Sequence, residues 1–194
     1  MTISSAPKTR VVKVGGSLFC QPKLPQRLQH FLETSSVDRN VIVAGGGALV
    51  DTVRQWHEIY PVSEAWCHRC SLRLMNQTAL LLSEIIGDIP LVSRIVDIPN
   101  RGNVILDCEH DILASEQLEA TWNLTSDSIA AHVANQLKAD ELWLLKSRLP
   151  RSSKIREWAK EGWVDVSFTQ IHDSRRPVFG LVMASKESLP VQGD

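Results

Sequence analysis

A lysine inside an apolar strand is out of place unless it faces something charged. The segment RVVKVGGSLF, residues 10–19, holds one: Lys13 sits among Val11, Val12 and Val14 and is followed by Gly15, Gly16 and Ser17. A second apolar run, NVIVAGGG, ends in Gly45, Gly46 and Gly47, with Asp51 shortly after. A strand that ends in glycines and turns into a helix presents free backbone N–H groups where the helix dipole also favours negative charge. Glycines let a ligand approach the backbone, and a lysine adds a point charge for phosphate oxygens. Two such units in one chain point to phosphate binding, against the plainer reading of two tight strand-to-helix turns. Neither unit is a G-x-x-x-x-G-K-[ST] loop or a G-x-G-x-x-G fingerprint, so a Walker A site and a dinucleotide fold are not indicated.

Other reactive residues carry less. CHRC at 67–70 places Cys67, His68 and Cys70 at a spacing that suits zinc, but Cys20 and Cys108 supply no second pair to match. On a helix, cysteines at i and i+3 share a face, and packing is the simpler reading. His57, His110, His132 and His172 show no triad-like context, and no serine or cysteine sits in a nucleophile elbow. Covalent catalysis is not supported.

The elements that must position these residues follow from hydrophobic spacing. VVKVGG, NVIVAGGG, LVSRIVD, NVILD, DELWLLK, WVDVSF and VFGLVMA read as strands. LPQRLQHFLE, a segment from about Ala48 to Tyr60, a long stretch from Val62 to Ile86, LTSDSIAAHVANQLKA and SSKIREWAKEG read as helices. Ser126 or Thr125 would cap the fourth of these, and Gly87 and Gly162 would end the third and the fifth. The alternation predicts a three-layer αβα sandwich around a mainly parallel sheet. The chain has 194 residues, 43% apolar and 22% charged, which suits one domain over residues 10–194. A net charge of −1 without a basic block argues against nucleic acid or an anionic membrane as partner. ALLLSEIIG, broken by Ser83 and Glu84, is too short to cross a bilayer. Residues 1–9 read as a disordered polar tail, without the apolar core of a signal peptide. Four cysteines without a disulfide framework suit a cytoplasmic protein with reduced thiols.

KVGGS at 13–17, VAGGG at 43–47 with Asp51, and NLTSDSIAA at 123–131, in that order, resemble the amino acid kinase superfamily, which includes acetylglutamate, aspartate, uridylate and carbamate kinases. The resemblance spans about residues 10–184 and implies the carbamate-kinase-like αβα fold and transfer of a phosphoryl group from ATP. It implies that Lys13 contacts the transferring group, that Gly15, Gly16 and Ser17 line the phosphates, and that Gly45, Gly46 and Gly47 offer N–H groups to the acceptor. Asp127 would orient the lysines and Asn123 would hold the acceptor. His68, Arg69 or Arg73, on the helix after the second glycine loop, would reach a phosphorylated or acidic substrate. Larger members carry an acidic residue after the nucleotide-side strand and a later glycine-rich segment with a second lysine. Here WLLKSRLP stands at the first position and the second segment is missing, leaving Lys146, or Lys154, to supply that charge. Mg²⁺ would travel on the nucleotide phosphates. The TSDSIAA wording and the EGWVDVSF ending resemble most the small branch tied to methanofuran biosynthesis, with an aminomethylfuran methyl phosphate as acceptor. A catalytically silent binding module and an amino-acid- or carbamate-type kinase are the alternatives. Association into a homodimer is implied by the family alone.

Overall fold

In the computed structural model, which describes residues 7–183 and 190–194, apolar runs and amphipathic segments alternate along the chain. They form β1 (Thr9–Val14), α1 (Leu24–Glu33), β2 (Arg39–Ala44), α2 (Gly47–Ile59), α3 (Glu64–Ile86), β3 (Leu91–Val92), β4 (Gly102–Leu106), α4 (Glu109–Leu113), α5 (Ser126–Gln136), β5 (Glu141–Lys146), α6 (Ile155–Lys160), α7 (Phe168–Ile171), β6 (Val178–Val182) and β7 (Val191–Gly193). The strands make one seven-stranded sheet in the order β3-β4-β2-β1-β5-β6-β7. All its pairings are parallel except β6 with β7.

β1 lies at the centre, paired with β2 on one side and β5 on the other. The chain builds outward from β1 through β2, then crosses back to lay β5 against the opposite edge of β1. Such a reversal opens a crevice at the carboxyl ends of the strands, where ligands bind in open α/β sheets. Gly15, Gly45 and Lys146 all fall at that end.

Side chains alternate across the pleat. Val11, Val41, Val43, Val104, Leu142 and Leu144 face a core closed by α5, α6, α7 and the first half of α3, with Ile129, Val133, Trp158 and Phe168 at its centre. Val12, Val14, Ile42, Ile105 and Leu145 face the other core, closed by Leu24, Leu28 and Leu32 of α1 and by Ala79 and Leu82 of α3. Helices on both faces give the three-layer α/β sandwich the sequence predicts.

Several element expectations need correction. LVSRIVD pairs only at Leu91–Val92; the chain then bends into a 3₁₀ turn at Ile95–Asp97, and Ile95 N–H donates to Asp111. WVDVSF is not a strand. Trp163, Val164 and Phe168 pack inward around the turn that leads into α7, Val166 stands exposed, and Asp165 accepts N–H groups at the heads of α5 and α7. Residues 8 and 9 depart from the expected tail: Thr9 lies in β1, its N–H donating to Asp140, and Lys8 N–H donates to Asp38. Of the tail, residues 1–6 lie outside the described residues, as does Ala184 of VFGLVMA.

Candidate active site

Lys13 shares its side of β1 with Val11, so its side chain points at α5 and not at solvent. It is 5% exposed on the central strand, which removes the reading of an edge-strand lysine. Asp127 meets it from the first turn of α5, where the helix dipole favours a carboxylate. The Lys13 Nζ–Asp127 Oδ1 distance is 2.9 Å. Lys146, the last residue of β5, reaches the other oxygen: its Nζ lies 2.7 Å from Asp127 Oδ2. Lys146 also donates to the Trp163 carbonyl, and its ammonium lies 4.7 Å from the Trp163 ring centroid. Among the described residues Asp127 Oδ1 meets no other donor, so Lys13 is its one charged neighbour there.

Burial and charge oppose each other in the titration of Lys146 and Asp127. Loss of water pulls the Lys146 ammonium down to about 8, against the attraction of Asp127; Lys13 pushes the same way as burial. For Asp127, burial alone would raise the carboxyl, but the two ammonium groups outweigh it and hold it below the usual carboxylate range. Two cations therefore share one anion.

The two glycine loops pack on each other. Gly15 N–H donates to Leu145 O at 2.8 Å and Gly45 N–H to Val14 O at 2.9 Å, extending the ladder past the strand ends. A Cβ on Gly16 would lie 2.1 Å from Gly47 N, and one on Gly47, whose φ is +55°, would lie 2.5 Å from Gly16 O. What excludes side chains here is first of all the other loop, with any ligand second.

Two cavities open beside this centre. The larger, about 240 Å³, is lined by Gly46 and Gly47, by the apolar Val50, Leu72, Met75 and Ile129, and by Arg54, His68, Ser71 and Thr121. The smaller, about 170 Å³, is lined by Gly15, Lys146, Ser147, Arg148, Gly162 and Trp163. Lys13, Gly16 and Ser17 line both.

The structure thus brings together Lys13, Asp127, Lys146, Gly15, Gly16, Ser17, Gly46 and Gly47. Gly45 sits behind them, in neither wall, where a Cβ would come 3.0 Å from Ser126 Oγ. Asn123 is exposed and contributes its carbonyl, which accepts Ser167 N–H at 3.0 Å; its side chain faces neither cavity. Arg69 and Arg73 are exposed and lie outside both walls, with Arg73 paired to Glu109 at 3.3 Å. Both arginines point away because His68, Leu72 and Met75 hold the inner face of α3. Lys154 lines neither cavity, whereas Lys146 lines the smaller one. Cys67 is buried in α3, Cys70 is half-buried, and the described residues hold no group of three or more His, Cys, Asp or Glu that suits a metal ion.

Three contributors escape the sequence reading. Arg54 of α2 lines the larger cavity, 2.9 Å from Asp51 and with its guanidinium 5.0 Å from the Trp122 ring centroid. Trp163 walls the smaller cavity. Asp165 closes the start of α5: its Oδ2 accepts Thr125 N–H at 3.1 Å, Thr125 Oγ1–H at 2.7 Å and Ser128 N–H at 3.1 Å. Its Oδ1 accepts from Ser128 Oγ and, at 3.1 Å, from Phe168 N–H. The cap is therefore neither Ser126 nor Thr125 through its own oxygen, but a carboxylate from far along the chain. The signal available was Thr125 and Ser128 flanking Asp127, two hydroxyls in need of an acceptor.

A mainly parallel α/β sheet with a buried lysine–aspartate–lysine centre between two cavities defines the class. The chain belongs to the amino acid kinase family, which its residues 8–147 match. It is 26% identical over 137 residues to [5-(aminomethyl)furan-3-yl]methyl phosphate kinase of Methanocaldococcus jannaschii; the match covers 68% of this chain and 62% of that relative's length. Among solved structures it superposes on uridylate kinase from Archaeoglobus fulgidus with a TM-score of 0.63 at 15% identity, covering 89% of this chain and 90% of the other. UMP kinase from Bacillus anthracis gives 0.66 at 11% identity, covering 93% and 89%. Aspartate kinase from Synechocystis gives 0.68 at 17% identity, covering 96% of this chain and 40% of that one. These structural likenesses establish a common fold.

Proposed function

We propose that this protein is an ATP-dependent kinase that transfers the γ-phosphoryl group to a small anionic acceptor, a phosphate monoester of the aminomethylfuran methyl phosphate type. The observation that carries this reading is the buried centre in which Lys13 and Lys146 share the single carboxylate of Asp127. Phosphoryl transfer needs positioning and positive charge on the equatorial oxygens more than covalent help. An excess of one positive charge, at a wall shared by two cavities, meets that need. The nucleotide phosphates would occupy the smaller cavity beside Lys146, Gly15 and Trp163, and the acceptor the larger one. Lys13, common to both, would bear on the group in transit. An acceptor already ionised needs no general base. The apolar floor of Val50, Leu72, Met75 and Ile129 suits a small ring, and Arg54 suits an anion. The M. jannaschii relative supports the choice of acceptor.

Among the described residues no group of three or more His, Cys, Asp or Glu is placed to hold Mg²⁺ as a resident ion. Asp127 is engaged by two ammonium groups and Asp165 by the donors at the start of α5, so neither carboxylate is free for a cation. The ion would enter as part of the ATP complex, since Mg²⁺ keeps its waters and takes few protein ligands. The family resemblance also supports assembly into a dimer.

The decisive experiment is acceptor-dependent ADP release by the wild type and by the Lys13→Ala and Asp127→Asn variants. Loss of more than about a hundredfold in kcat is expected for each, and turnover that survives both changes overturns the assignment. A second reading, a binding module that has lost nucleotide transfer, is favoured by the Lys146 ammonium being turned inward to Asp127 and the Trp163 carbonyl. Calorimetric titration with Mg·ATP separates the two: heat of binding supports the kinase, and its absence at millimolar nucleotide supports the module.

A further inference from the structure

We propose that Asp165 is a positioning residue for this reaction, holding the start of α5 so that Asp127 stays between the two lysines; the proposal rests on the kinase reading above. Asp165 lies 38 residues beyond Asp127 in sequence, yet it accepts from the backbone on both sides of it, at Thr125 and Ser128, and from both neighbouring hydroxyls. A helix N-terminus leaves its first N–H groups without intrahelical partners, and the residue that satisfies them sets the entry angle of the chain. Here that residue is a carboxylate anchored in turn by Phe168 N–H at 3.1 Å, at the head of α7. α7 is itself seated on α5, where Asn135 Nδ2 donates to Ile171 O at 2.6 Å. The carboxylate is thus fixed at both ends.

The same short loop reaches Lys146. The Trp163 carbonyl, two residues before Asp165, accepts from the Lys146 ammonium, and the Trp163 ring stands over it. Residues 163–165 therefore touch both partners of the ion pair, Lys146 directly and Asp127 through the helix that carries it. The charged groups facing Lys146 are Asp127 from α5, Lys13 from β1 and Asp165 from this loop; of these, the two carboxylates favour its protonated form. Asp165 does not touch the cavities that would hold ATP and acceptor, so its removal leaves binding in place and misaligns the group that orients transfer.

The test is Asp165→Asn, which keeps the side-chain shape and one acceptor oxygen but turns an amide N–H₂ toward donors that the second oxygen had accepted. Far-UV circular dichroism must therefore first show the variant folded. Asp165→Glu, which keeps both oxygens and the charge, is expected to recover part of kcat. Two readouts follow: steady-state kinetics with Mg·ATP and a phosphate monoester, and the NMR titration of the Lys146 ε-carbon. The proposal expects kcat to fall about tenfold or more with both KM values within about twofold of wild type. It also expects the Lys146 midpoint to move down by roughly half a pH unit as a facing anion is lost. Loss of the charge alone gives that shift, so the split between kcat and KM decides: a cap with no positioning role leaves kcat within about twofold of wild type, and a folded variant that does so overturns the proposal. If the wild type transfers no phosphate, the kinase reading fails by itself, and NMR titration of the Asp127 γ-carbon decides instead. A rise of its midpoint in the variant supports the proposal, because the two ammonium groups that hold it down have lost their grip. An unchanged or lowered midpoint, which is all that loss of a neighbouring anion gives, overturns it.

Discussion

Two ammonium groups on one buried carboxylate form an arrangement that removal of the centre disrupts more than removal of either edge. Asp127 is 5% exposed, and without its charge Lys13 and Lys146 repel each other out of reach of water. Breaking a buried pair by deleting one partner costs about 3–5 kcal/mol. Asp127→Asn is predicted to lower unfolding free energy by that amount in a urea titration, in addition to abolishing transfer. pH acts on both partners in the same direction, stability rising with pH, but in separate windows: for Lys146 a penalty is relieved, and for Asp127 a contribution is gained. The folded Lys146 value of about 8 lies below that of an unfolded lysine, about 10.4, so between them the unfolded chain binds more protons. This group therefore destabilises the fold fully below pH 8, and the penalty is relieved as pH rises toward the unfolded value. Asp127, held below the ordinary carboxylate value, contributes stability that is present above that value and is lost as pH falls through its folded one. Activity follows Lys146 in the other direction: if its charge is used, kcat declines above about pH 8. Lys146→Arg, permanently charged, is predicted to retain partial activity and to lose that alkaline limb in a kcat–pH profile.

The glycine loops join elements to each other. Gly16 follows β1, Gly47 opens α2, and their backbones overlap the space a side chain would need. A left-handed backbone costs an L-residue about 1–2 kcal/mol, and Gly162, with φ +61° and open surroundings, would incur only that on substitution. Gly47→Ala is predicted to cost more than Gly162→Ala in thermal unfolding, and to weaken acceptor binding as well, because the new methyl drives α2 off the first loop. What could be read from the sequence divides along the same line. Lys13, Gly16, Gly47 and Asp127 were legible because each lies in a short local pattern with a physical reason for its residue types. The central sheet was legible too, from β-branched runs that stay apolar on both faces. Asp165 was not, because its partners are 37 and 40 residues away and its own segment mimics a strand's alternation. Arg54 was passed over for Arg69 and Arg73 because periodicity tells which residues share a face, and only packing tells which face turns inward.

At the scale of the molecule, α2 and α3 leave apolar side chains in water. Trp56, Ile59 and Tyr60 are exposed on or beside α2, and Leu80, Leu81 and Ile85 on α3. Leu81 and Ile85, four residues apart, share one stripe of that helix. If the chain assembles as its family resemblance suggests, light scattering is predicted to report twice the 21.7 kDa of one chain. Replacing Leu81 and Ile85 together by glutamate is predicted to return the mass to that of a monomer. Among the described residues no helix is long and apolar enough to cross a membrane.

One wall serves both cavities: Lys13, Gly16 and Ser17 border the space on either side. If the chain is the kinase proposed above, donor and recipient would meet at these shared residues, and the phosphorus would have a single bond to exchange, formed on the side opposite the one that breaks. It would change hands once, arriving with its three remaining oxygens turned inside out like an umbrella. A γ-phosphorus made chiral with sulfur and oxygen isotopes should therefore emerge in the product with inverted handedness, and retained handedness would mean that the group had stopped on the protein along the way.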